Sequence, residues 1–219
     1  MTRLAQGFFS AEAEQVAQSL LGKVIRRRFQ GQWLSARIIE TEAYYRHERA
    51  SHSSLGYSHA RRAMFMPAGI IYMYYARGWP SLNVSTEGEG DAVLIKSAYP
   101  WPHRLSGKRM IDLMQQAYAE KRPLHRLCAG QTLLCRALRL AVEDWNARQF
   151  DAGEFYIDDT GERPGRVIQT RRLGIAAHRD AHLPYRYIDY DYAHACTRNP
   201  LASRTWHEGT DYVVRAVRG

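Results

Sequence analysis

The chain has 219 residues, with 31 lysines and arginines against 22 aspartates and glutamates and a formal net charge of +9 at pH 7, so its expected partners are polyanions, nucleic acid before an anionic membrane. With 45% apolar residues it is too hydrophobic to stay disordered, and its length suits one core, so a single domain over residues 1–219 is expected. The three cysteines, Cys128, Cys135 and Cys196, form no CxxC, which argues against a disulfide framework or a cysteine zinc site; no apolar run reaches the roughly 20 residues of a membrane span and no signal-like core opens the chain, so a cytoplasmic protein is expected.

In chain order, Ser10 is placed to cap a helix with the stripe Val16, Leu20 and Leu21, and Gly22 to stop it in a left-handed conformation. From Leu34 the pattern alternates: Leu34, Ala36, Ile38, Glu40, Glu42 and Tyr44 share one face of a strand, with Trp33, Ser35, Arg37, Ile39 and Thr41 on the other. A polar loop carrying Arg61 and Arg62 follows, then the strand "GIIYMYY" from Gly69, and the strands "SLNVST" and "DAVLIKSA" around the turn "EGEG". Strands this close without intervening helices imply an antiparallel or mixed sheet. Residues 107–121 and 130–145 read as amphipathic helices, with stripes of Met110, Met114 and Tyr118, and of Leu134, Ala137, Leu138 and Ala141. "RVIQTRRLGIAAH" and "YRYIDY" suggest more strand, and residues 158–166 an exposed loop. Sheet, then helices, then sheet again is an α+β chain.

The chemistry concentrates in "IETEAYYRHERASH", residues 39–52. A strand glutamate is ordinarily solvated or paired with an arginine. Glu42, at the end of an apolar face beside a tyrosine, is expected to be partly desolvated and so suited to act as a base or charge stabiliser. Glu40 has the same spacing, and periodicity does not separate the two. Tyr44, Tyr72, Tyr74 and Tyr75 fit ordinary core or sheet-surface roles. With His52 in a basic field they also suit stacking on an extruded base, at about 1–3 kcal/mol per base. Glu40, Glu42, His47 and His52 are metal-ligand types, but their spacing matches no compact ligand pattern such as HExxH. No P-loop and no GxSxG elbow occurs.

The segments "LLGKVIRRR", "ARIIETEAYY", "ASHSSLG", "MFMPAGIIYMYY", "LNVSTEGEGDAVLIKSA", "LLCRAL" and "RRLGIAAHRDAHLPYRYID" occur in the order seen in the alkyladenine (3-methyladenine, methylpurine-type) DNA glycosylases, and the chain resembles that family from about Phe8 to Asp189. The resemblance implies a single α+β domain with a curved, mostly antiparallel sheet surrounded by helices, similar to a formyltransferase C-terminal domain. It implies a monofunctional glycosylase that flips a damaged purine out of duplex DNA, hydrolyses its N-glycosidic bond and leaves an abasic site, as a monomer in the nucleoid-bearing cytoplasm with no metal and no cofactor. Glu42 would then activate water, Tyr44 and His52 would wall one side of the flipped base and Tyr74 the other, and Asn83 would crowd the amino group of guanine. Arg61, Arg62, Arg77, Trp79 and Lys96 are the expected DNA contacts.

The chain departs from the family pattern at several points. Arg77 precedes Gly78 where the family has a bulky wedge before glycine, which leaves Arg77 or Trp79 as the residue entering the duplex. Lys96 replaces an arginine, keeping charge but losing bidentate geometry. "AGQTLL" lacks the family's proline and basic residue, and the "YYRHERASH" loop is one residue shorter than the common form. Those departures motivate one alternative, a catalytically weak protein that recognises damaged or distorted DNA; the acid and histidine cluster motivates another, a metal-assisted hydrolase.

Overall fold

The computed structural model describes residues 2–107 and 109–217. Among them, ten strands join in one sheet: β1 (Thr2–Arg3), β2 (Val24–Phe29), β3 (Gln32–Tyr44), β4 (Ile71–Ala76), β5 (Trp79–Ser85), β6 (Ala92–Pro100), β7 (Phe155–Asp159), β8 (Arg166–Thr170), β9 (Arg186–Asp189) and β10 (Tyr212–Ala216). The main order is β1-β7-β2-β3-β6-β5-β4, with β9, β8 and β10 branching from β3, and the pairings are antiparallel. Short helices α1 (Ala13–Leu20), α2 (Met110–Gln115), α3 (Gln131–Ala137) and α4 (Val142–Trp145) complete an α+β chain with an open antiparallel sheet.

The 13-residue strand β3 organises the whole. A two-residue turn, Gln30 and Gly31 with φ of 48° and 74°, joins it to β2, a geometry that matches strand twist. One edge of β3 pairs first with β2 and then, from Glu40 to Glu42, with β9, while its other edge pairs with β6. The register with β6 slips twice: Ile38 faces Ala98, Glu40 faces Ser97 and Thr41 faces Ile95. Ile39 on β3 and Lys96 on β6 are therefore extra residues, and the two slips cancel.

These bulges overturn the single continuous face expected for β3. Leu34, Ala36 and Ile38 belong to the main core, but beyond the bulge Ala43 and Tyr45 do, and Thr41 donates its hydroxyl to the Ala17 carbonyl of α1 at 2.8 Å. β6 switches in step, with Ala98 in that core on one side and Ile95 and Val93 on the other. An extra residue puts two successive side chains on one side of the strand. Glu40, Glu42 and Tyr44 consequently point away from the helix-covered core, on the opposite side from Leu34, Ala36 and Ile38.

Other expectations are corrected locally. Ser10 ends a 3-10 turn, and α1 starts at Ala13 after Glu12; Gly22 does adopt φ +85°, where a Cβ would fall 2.8 Å from the Glu162 carbonyl. The 107–121 helix, part of which at Lys108 lies outside the described residues, shrinks to Met110–Gln115. There the Gln115 side chain bonds both the N–H and C=O of Arg122 and folds the chain back. The 130–145 helix is broken into α3 and α4 by Arg139, at φ +54°. Only Arg166–Thr170 and Arg186–Asp189 of the two late segments are strand, and Asp158 in the expected loop is a buried strand residue. β2 escapes a period-2 reading because "IRRRF" places Arg26 inside, where it donates to Asp158 and Ser35.

Candidate active site

Across the sheet face turned away from the main core, register alone lines up the expected site residues. Glu42 on β3 pairs with Leu94 on β6, Leu94 with Asn83 on β5, and Asn83 with Tyr72 on β4. Tyr44 pairs with Ala92 in the next row, and Tyr74 lies two residues along β4 from Tyr72. Above these rows lies a cavity of about 620 Å³ lined by Tyr44, His52, Tyr72, Tyr74, Asn83 and Lys96, among others. Residues 129–133, of the divergent "AGQTLL" stretch, and 173–175 close it from the sides.

Sequence left Glu40 and Glu42 equivalent; their partners separate them. Both are fully buried. Glu40 takes Arg186 Nε at 2.6 Å on one oxygen, and on the other the Thr197 amide at 2.9 Å, the Thr197 hydroxyl at 3.0 Å and the Ser97 hydroxyl. That carboxylate takes four donors and braces the Thr197 segment, which lines the cavity. Glu42 is held more sparsely, by the Tyr44 hydroxyl at 2.7 Å, Lys96 Nζ at 3.3 Å and the Leu173 amide at 3.5 Å. Tyr44, Lys96 and Leu173 all line the cavity, so Glu42 sits one layer behind its floor. Burial, then the neighbouring Glu42 charge, drives the Tyr44 phenol far above its ordinary pKa, so it remains a hydrogen-bond donor to Glu42.

The aromatic walls are tied to one another. His52 Nδ1 lies 3.0 Å from the Tyr72 hydroxyl, Tyr72 and Tyr74 stack with centroids 5.5 Å apart, and the His52 ring meets Tyr74 at 4.3 Å and 63°. A base between His52 and Tyr74 requires about 7 Å, two van der Waals contacts, so the structure does not leave the expected slot open between this pair. Burial, with help from the Arg179 and Arg61 charges, lowers the His52 pKa, which keeps the imidazole neutral near pH 7. Sequence reading missed Arg172. It is buried, donates to the Ala43 carbonyl at 2.7 Å, bonds Glu48, and lies 4.4 Å from the Tyr44 ring centroid, locking the outer face of that ring. It stood in a segment read as strand, and no local pattern marked it.

The sequence matches the family described as methylpurine-DNA glycosylase over residues 7–193. It is 55% identical over 215 residues to a protein of Pseudomonas fluorescens (strain Pf0-1), covering 96% of this chain and 93% of that one. It is 54% identical over 214 residues to one of Pseudomonas savastanoi pv. phaseolicola, covering 96% of each, and 31% identical over 221 residues to one of Anaeromyxobacter sp. (strain Fw109-5), covering 98% and 93%. Each of the three bears the name "Putative 3-methyladenine DNA glycosylase". The chain belongs to the methylpurine-DNA glycosylase family. Membership makes it a DNA-directed hydrolase of N-glycosyl bonds, of the kind that serves base excision repair.

In this glycosylase the expected DNA contacts fall into two groups. Arg77, Trp79 and Lys96 line the cavity. Arg77 and Gly78 form the two-residue turn between β4 and β5, at φ of 53° and 81°, so Arg77 stands exposed at a hairpin tip. Trp79 is half exposed but anchored, with the Arg136 guanidinium 4.9 Å from its ring; Arg136 also covers Tyr118. Arg61 and Arg62 are not brought to the cavity. Arg61 donates to the Gly56 and Leu55 carbonyls and Arg62 to that of His59, so both brace the 55–65 segment. Among the described residues no helix is long and apolar enough to cross a membrane, and no group of three acidic, histidine or cysteine side chains is arranged to hold a metal.

Proposed function

We propose that this protein extrudes an alkylated or otherwise damaged purine from duplex DNA into the 620 Å³ cavity, hydrolyses its N-glycosidic bond with water, and leaves an abasic site. The reading is of a monomer acting as one domain over residues 1–219, with the sheet architecture of a formyltransferase C-terminal domain, in the cytoplasm on nucleoid DNA, and without metal or cofactor.

The single observation that carries it is the placement of Glu42, behind a cavity walled by Tyr44, Tyr74 and His52 and held, among the described residues, by three donors. Departure of a purine develops positive charge on the sugar in an oxocarbenium-like transition state. A fixed carboxylate stabilises that charge and takes a proton from the attacking water. Tyr44 and Lys96 fix its orientation from the cavity side. A purine alkylated at N3 or N7 is cationic and already a good leaving group, and the aromatic walls attract it. Damaged pairs are also easier to open. Asn83 donates its amide to the Tyr72 carbonyl at 3.2 Å and is held at the cavity surface, where it would crowd the amino group of guanine. Arg77, at the tip of the hairpin, fills the gap left in the duplex, while Trp79, clamped by Arg136, holds the hairpin in place.

The test is single-turnover release of 3-methyladenine, 7-methylguanine, hypoxanthine and ethenoadenine from duplexes, comparing the native protein with Glu42→Gln. The expected loss is at least about 10²-fold, the usual scale for a general base. Equal release by the two proteins removes Glu42 from this role, and tight binding without release by either supports a recognition protein instead.

A further inference from the structure

Lys96 is placed unlike a phosphate-gripping lysine. It is the extra residue of the β6 bulge, with Ser97 opposite Glu40 and Ile95 opposite Thr41, and bulges beside active sites re-aim side chains. It lines the cavity while remaining only 8% exposed, and its Nζ lies 3.3 Å from Glu42 Oε1. A lysine that neutralises backbone phosphates belongs at a solvated rim on a free stem. This one is sunk at the floor, against the carboxylate assigned above to the sugar carbon. The arginine implied by the family resemblance would carry the charge but no usable lone pair, since guanidinium does not deprotonate in proteins. A lysine amine next to a proton acceptor is a nucleophile toward carbonyl carbon.

We infer that Lys96 gives the protein a second activity: covalent capture of the aldehyde of the abasic product, followed by cleavage of the strand on its 3′ side. The inference rests on the function proposed above, which brings C1′ beside Glu42. In a near-attack geometry the water lies about 3–3.5 Å from each reacting partner, so C1′ falls within the sweep of a lysine stem rooted next to that carboxylate. Base release itself stays hydrolytic. Lys96 then acts on the ring-opened deoxyribose. Its amine passes a proton to Glu42 and Nζ bonds to C1′; the proton returns to the carbinol oxygen, water departs, and a protonated imine remains. The imine acidifies the C2′ hydrogen, the restored Glu42 carboxylate removes it, the C3′–O bond breaks with the 3′-phosphate as leaving group, and Glu42 gives its proton to the departing phosphate. Water finally hydrolyses the imine and frees Lys96. Atoms and charge balance, with no oxidant, reductant or metal.

The experiment uses the full chain and a duplex carrying a preformed abasic site, so that it does not depend on base release. Cyanoborohydride is added to reduce any imine, the protein–DNA adduct is resolved on a denaturing gel, the modified peptide is located by mass spectrometry, and 3′ cleavage is followed without reductant. The expected result is a trapped adduct on Lys96 and a nicked strand, with both lost in Lys96→Arg. Binding of that variant to a duplex with a stable tetrahydrofuran abasic analogue shows whether the loss is one of chemistry rather than of affinity. An adduct on another amine, nicking that survives in Lys96→Arg, or no adduct and no nick with the native protein each overturns the inference. An adduct on Lys96 without a nick overturns the lyase step alone, whereas failure of base release overturns the function it rests on.

Discussion

Replacing Arg186 by methionine should separate the bracing carboxylate, Glu40, from Glu42, the one proposed to act on the sugar. Arg186 is fully buried, and removing its guanidinium takes from Glu40 the 2.6 Å bond on Oε1 and from the Arg198 carbonyl a donor at 2.9 Å. Breaking a buried pair from one side costs about 3–5 kcal/mol, and an orphaned carbonyl adds about 1 kcal/mol. At roughly 2–4 °C per kcal/mol for a chain of this size, the melting temperature should fall by about 10–20 °C. The sign with pH is specific. Burial pushes the Glu40 pKa up, but Arg186, then Lys96 and the Ser97 and Thr197 hydrogen bonds, outweigh it and hold the carboxyl below its ordinary value. Such a group contributes stability above its unfolded pKa of about 4.3 that is lost as pH falls through the folded one. Without Arg186 the carboxyl loses the strongest of the interactions that hold it down and titrates higher than in the native protein, so part of its penalty is relieved on acidification. Urea unfolding at constant ionic strength from pH 7 to pH 4 should therefore show the gap between native protein and Arg186→Met narrowing, and the double variant Glu40→Leu/Arg186→Met recovering most of the loss. A gap that stays constant across that range, or a loss under about 1 kcal/mol at pH 7, would refute the assignment.

Arg77→Gly should stabilise the fold by a few tenths to about 1 kcal/mol, because it removes a non-glycine residue from left-handed geometry, while weakening duplex binding; thermal melts and salt-dependent binding check both, and a destabilised hairpin would count against the turn. His52 should titrate below its unfolded value near 6.5 in an NMR experiment, and stability should decline as pH falls from that value toward the folded pKa, since the unfolded chain takes up the proton first. Arg179→Gln should move the His52 midpoint upward, and an unmoved midpoint would discount the Arg179 contribution. Arg172→Met should destabilise by about 3–5 kcal/mol through the stranded Glu48 and slow base release by loosening Tyr44, with urea melts and single-turnover rates as readouts. Base release should be unchanged in excess EDTA, and a loss reversed by added metal would revive the metal-assisted reading.

The strands from Leu34 to Ala98 were legible because β-branched and aromatic residues there alternate with polar ones and the turns carry glycine. The change of face within β3 was not, since a bulge depends on the facing strand, and neither "ARIIETEAY" nor "AVLIKSA" reveals that its neighbour carries a compensating extra residue. β2 was hidden for a related reason. A buried Arg26 is acceptable because groups such as Asp158, more than a hundred positions away, and Ser35 receive its hydrogen bonds. The candidate site residues emerged from motif resemblance and from residue types, but Arg172 acts through contacts with Ala43, Tyr44 and Glu48, more than a hundred positions away from it in the sequence. Glu40 and Glu42 share a strand face, so only their partners could assign one to bracing and the other to a place just behind the cavity floor.

Because the slips at Ile39 and Lys96 cancel, the distant ends of β3 and β6 meet as if neither extra residue were present. If Ile39 fell into regular alternation instead, the frame would shift in space rather than in codons: beyond that point hydrophobic groups would be driven outward and carboxylates inward. Deleting both extra residues would leave an unbulged ladder with Glu40, Glu42 and Tyr44 on the side they now occupy. The location of the carboxylates thus depends on one doubled side-chain position at this crossing, so a lone insertion further along β3 should be tolerated far less readily than a substitution.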